Sequence, residues 1–92
     1  MSKGKPKDPP LSAHEYRTVV GQVQELRGVF DAMLDRVRAD ESMRDHVAVL
    51  RKRMDRLTPL LMARVRLGRL AMKANIALAR LELALAEEER ER

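Results

Sequence analysis

The sequence predicts an all-α protein: a helical hairpin or three-helix arrangement with a long C-terminal helix that self-associates. Apolar residues recur at alternating steps of three and four over most of the chain. Glycine and proline number four each, too few for the turns of a β-sandwich or barrel. The last third of the chain carries two apolar stripes, where a helix on the outside of a monomeric bundle needs one.

At 92 residues the chain accommodates one small domain. Residues 1–10 hold Lys3, Lys5, Lys7, Gly4 and three prolines with nothing apolar to bury, so they read as a disordered basic tail. No apolar run follows those lysines, so they do not read as a secretion signal, and no stretch approaches the ~18 apolar residues of a membrane span. Without cysteine there is neither a disulfide framework nor a thiolate metal site, and a cytoplasmic location is expected.

Residues 11–92 form the expected helical domain, with helices over about 12–38, 43–57 and 59–89. The first opens on a capping box, with Ser12 as N-cap and Glu15 three residues on, and Leu11 stapling onto Tyr16. Its seam, Tyr16, Val19, Val23, Leu26, Phe30, Met33 and Val37, holds a heptad rhythm without a miss. Gly21 and Gly28 lie on the opposite side and read as a tolerant exposed surface. Beyond Val37 a continuous helix would offer Asp40, Glu41 and Arg44 to the core, which places a short turn near Ala39–Ser42. Spacing resumes at Met43, Val47, Leu50, Met54 and Leu57, with Ser42 and Asp45 as the expected cap pair. Thr58-Pro59 reads as cap and first position of the third helix, because proline lacks the donor that a helix interior needs.

On that third helix one stripe holds Leu60, Ala63, Leu67, Leu70, Ala74, Leu78, Leu81 and Leu85. The other holds Leu61, Val65, Met72, Ile76 and Leu83. The first two helices cover one stripe, and a second copy of the chain is the expected cover for the other, since a small domain gains stability by assembling. Asn75, on a narrow line of small and polar residues, is expected to face solvent.

Charge is uneven. Residues 43–73 carry nine basic side chains against Asp45 and Asp55, while the flanking segments 11–42 and 74–92 are net acidic. Two groups, Arg51, Lys52, Arg53 and Arg56, and Arg66, Arg69, Lys73 and Arg80, are the candidate contacts for duplex DNA or another polyanion. Both aromatics belong to the first helix's seam, so base stacking is not a main device. His14 and His46 have no ligand partner at helical spacing, and no nucleophile, phosphate loop or metal-ligand set is present. A non-enzymatic protein without a cofactor is expected.

Leu50-Arg51-x-x-Met54-Asp55-Arg56-Leu57, with Arg69 and Arg80 following, resembles the opening helix of the all-helical chorismate mutases. Pro59 breaks the helix that such a site requires, and the acidic and glutamine side chains expected with it are missing. In architecture Ser12–Glu89 resembles the oligomerisation hairpin of viral small terminase subunits: an antiparallel helix pair, oligomerising faces, basic patches and a charged terminal segment. That resemblance implies homo-oligomeric assembly and contact with DNA during packaging. These residues hold no counterpart of that family's DNA-reading domain, so the contact is expected to be sequence-non-specific. The competing expectation is a protein-binding adaptor or inhibitor that receives another protein on the second stripe, without nucleic acid or membrane.

Overall fold

The computed structural model describes residues 11–91; the expected tail over 1–10 lies outside the described residues. Three helices follow one another: α1 (Ala13–Leu34), α2 (Glu41–Met62) and α3 (Val65–Arg90). They pack pairwise around a single core in an up-down-up order. The architecture is all-α, as the periodicity predicts.

α1 begins where expected. The Ser12 hydroxyl accepts from the Glu15 backbone N–H at 3.2 Å, and the Glu15 carboxylate accepts from the Ser12 N–H at 2.8 Å, closing the capping box. Tyr16, Val19, Val23, Leu26 and Phe30 are buried in sequence along the seam. The helix ends at Leu34 rather than near residue 38. Between Leu34 and Met43 the only large apolar residue is Val37, which is half-buried from the connecting segment. The cap of α2 is Asp40, not Ser42: its carboxylate accepts from the Met43 N–H at 2.7 Å, two residues before the expected position.

The larger correction concerns the second boundary. α2 does not stop at Leu57; it runs through Pro59 to Met62. The Thr58 hydroxyl is not a cap but donates back to the Met54 carbonyl at 2.6 Å. Pro59 leaves the Asp55 carbonyl without its helical donor, and the chain reverses one turn later through Ala63 and Arg64. Arg64 is the N-cap of α3 in extended conformation, without a side-chain cap bond. α3 is therefore 26 residues, about 39 Å long.

α2 and α3 are held antiparallel in one register by three polar rungs. Arg44 Nε stands 3.2 Å from Glu89 Oε2, Arg51 grips Glu82, and Thr58 accepts from Asn75 at 2.9 Å. The core between the helices holds Met43, Val47, Leu50, Met54 and Leu61 of α2 against Ala71, Ala74, Leu78, Leu81 and Leu85 of α3 and the α1 seam. Each fully buried Leu, Val, Met or Phe there contributes about 1.5–3 kcal/mol.

Candidate functional site

The outer face of α3 follows from its own periodicity. Projected at about 100° per residue from Leu78, the centre of the buried side, Asn75 and Glu82 fall at about 50° and face α2. Val65, Met72, Ile76 and Leu83 follow at about 140°, and Arg66, Arg69, Lys73 and Arg80 at about 210°. The last two groups are exposed, and only Val65 and Arg66, at the start of the helix, share a groove with α1. Val65 is 94% exposed, Met72 58%, Ile76 50% and Leu83 60%, and Met62 at the end of α2 adds a further exposed apolar side chain at 54%. Arg66, Arg69, Lys73 and Arg80 are all exposed, and none of the four forms an ion pair among the described residues.

Leu61 does not belong to this face. It is fully buried at the end of α2, inside the core. The expected second stripe joined it to Val65 across a helix that in fact breaks at Ala63–Arg64, so the two residues share no common face.

The basic residues of α2 divide. Arg51 is withdrawn from the candidate contacts because its guanidinium is already occupied. Nε and Nη2 donate to the two oxygens of Glu82 at 3.0 and 2.7 Å, and Nη1 donates to Asn75 Oδ1 at 2.9 Å and stands 3.7 Å from Asp55. The bond to Glu82 raises the Arg51 pKa above its ordinary value, against a smaller opposing effect of burial. Lys52, Arg53 and Arg56 stay exposed. Arg53 and Arg56 share a cleft with Gln22, Glu25 and Leu26 of α1, away from the α3 band. The two basic groups of the sequence therefore do not merge into one surface.

Asn75 is likewise not solvent-facing. It is half-buried and fully engaged, accepting from Arg51 and donating both to the Thr58 hydroxyl and to the Ala71 carbonyl at 2.8 Å.

One arrangement has no counterpart in the sequence reading. The Arg64 guanidinium lies 4.0 Å from the centre of the Tyr16 ring, joining the starts of α1 and α3 by a cation–π contact. Beside it runs a groove lined by Val20, Val65 and Leu67 with Arg17, Arg64 and Arg66. The residues concerned lie too far apart in sequence for any local pattern to announce them.

His14 and His46 are exposed, and among the described residues no group of three or more His, Cys, Asp or Glu is placed to hold a metal ion. No described helix is long and apolar enough to cross a membrane. Comparison with protein-family models, curated proteins and solved structures gives no match.

Proposed function

We propose that this protein is a non-enzymatic, self-associating helical protein that offers a basic surface to duplex nucleic acid without reading its sequence. The observation that carries the reading is the outer face of α3, where Met72, Ile76 and Leu83 are half-exposed beside Arg66, Arg69, Lys73 and Arg80. An apolar line without intramolecular cover supports assembly, and a neighbouring row of unpaired cations supports phosphate contact. The architectural resemblance to the oligomerisation hairpin of viral small terminase subunits supports a role in DNA packaging. Nothing on this face has the shape of a base-reading element, so affinity should depend on salt far more than on sequence.

The test is binding of a fluorescent duplex across a salt series, with mass by light scattering at each step. Four phosphate contacts from one band give a log–log slope of about −3.6, at about −0.9 per contact. The combined Arg66→Glu, Arg69→Glu and Lys73→Glu variant should lose binding and keep its helicity. Wild-type protein that ignores DNA at about 50 mM salt, where phosphate contacts are strong, overturns the reading.

The apolar and arginine-lined groove between Tyr16 and Arg64 favours a second reading, an adaptor that takes an acidic amphipathic segment of another protein. It predicts no DNA binding at physiological salt.

A further inference from the structure

We infer that the apolar line of α3 is completed by a second copy of the chain, packed antiparallel about a two-fold axis that passes between Met72 and Ile76, level with residue 74. This inference rests on the self-association reading above and gives it a geometry. The exposed line consists of Val65, Met72, Ile76 and Leu83, spaced seven, four and seven residues apart. That spacing is a palindrome centred on residue 74. An antiparallel partner sharing that centre sets Met72 against the partner's Ile76 and Val65 against the partner's Leu83, with the same contacts repeated in reverse, as an isologous interface requires. Between these pairs Arg69 faces the partner's Ala79, whose exposed, small side chain leaves room for the arginine stem. A parallel partner would instead stack Arg69 on Arg69 in the middle of the line.

Charge along α3 selects the same orientation. Its start carries Arg64, Arg66 and Arg69 with no acid in the first turn, and its end carries Glu87, Glu88, Glu89 and Glu91 against Arg90. Antiparallel packing in this register sets Arg66 level with the partner's Glu82 and brings the partner's Glu87 to within about 5 Å, along the helix axis, of the level of Arg64, whereas parallel packing sets like against like.

The two-fold has a consequence for the polyanion surface. An axis perpendicular to both helices keeps each flank of α3 on its own side of the dimer. Arg66, Lys73 and Arg80, seven residues apart on one flank, therefore meet the same three of the partner across the seam on a single face. The bands of two subunits become one strip, and α2 of each copy lies on the opposite side.

Because the chain contains no cysteine, engineered thiols report the pairing directly. Val65→Cys and Leu83→Cys, both at exposed positions, are prepared separately, mixed under reducing conditions and then oxidised. The expected product is the mixed Val65→Cys/Leu83→Cys disulfide dimer. Each variant oxidised by itself should stay uncoupled, because its two thiols stand about 27 Å apart along the dimer, far beyond the Cα separation of about 4.4–6.8 Å that a disulfide spans. Covalent dimers from the single variants, with no mixed species, overturn the antiparallel arrangement. If wild-type protein remains dimeric by light scattering in that case, self-association stands and only its geometry fails. A wild-type monomer at tens of micromolar, within the range of specific homodimers, overturns both. In the DNA salt series the six cations of the fused strip should give a slope of about −5.4 per binding event, steeper than the value of about −3.6 for one band of four.

Discussion

Asn75 uses its single amide three ways, accepting from Arg51 and donating to Thr58 and Ala71, and so closes a network that runs from Glu82 to the Met54 carbonyl. Asn75→Ala removes the centre of that network and leaves part of the Arg51 fork and the Thr58 hydroxyl short of a partner in a half-dry site. Equilibrium denaturation should show a loss of about 1–3 kcal/mol. The Arg51–Glu82 pair itself is worth less than a dry ion pair, since both side chains keep about a third of their surface in water. A double-mutant cycle should return about 1 kcal/mol. Arg51 has a raised folded pKa, so its contribution is fully present below the ordinary arginine range and is lost only as pH rises through the folded value. It adds no pH dependence near neutrality. Gly21 and Gly28 have nothing within 4 Å of an added Cβ. Gly21→Ala and Gly28→Ala should each raise stability by about 0.8–1.0 kcal/mol and should add in the double variant; a loss in thermal melts would reveal a surface that needs the bare backbone.

At the scale of the elements, the start of α1 is legible because its information is local: a cap at Ser12, a partner at Glu15 and a seam buried from Tyr16 to Phe30; its end is not, because Val37 keeps the spacing of the seam but lies in the connecting segment. The α2–α3 boundary was not. Thr58-Pro59 has the form of a helix start, but the Thr58 hydroxyl is drawn backward to Met54 and sideways to Asn75. The real reversal at Ala63–Arg64 has no glycine, proline or side-chain cap, and its fixed point is the Tyr16 ring under Arg64. A boundary held by a contact across the fold leaves no local signature. The same cause misplaced Leu61, because a helical projection loses its meaning across a break. Arg51 reads as a free cation in the sequence because the side chains that hydrogen-bond it lie 24 and 31 positions away, and only the looser contact to Asp55 is local. Val65, Met72, Ile76 and Leu83 were legible because all four sit within one uninterrupted helix. Pro59 now stands in the last turn of α2 without a donor for Asp55. Pro59→Ala should restore that bond and raise stability by about 1–3 kcal/mol, read by thermal unfolding. A loss instead would mean that the proline ring directs the reversal.

On the scale of the whole molecule, two isoleucine- and leucine-sized residues two positions apart on α3 separate folding from assembly. Leu78 is fully buried between the helices, whereas Ile76 keeps half of its surface in water. A carboxylate at position 78 must enter a core with no buried polar group among the described residues to receive it. Even Leu78→Ala should cost about 2–5 kcal/mol, and a small domain seldom has more than about 5–15 kcal/mol in total. Leu78→Glu should therefore unfold the subunit, with loss of the helical circular dichroism signal. Ile76→Glu changes only the outer line. It should leave helicity and the low-concentration thermal midpoint of the subunit nearly intact while halving the mass seen by light scattering. The wild-type midpoint should rise with protein concentration, because assembly stabilises the folded state by mass action, and in Ile76→Glu that rise should vanish. If Ile76→Glu unfolds the chain as Leu78→Glu does, position 76 belongs to the fold of the monomer, and the outer face of α3 is not an assembly surface.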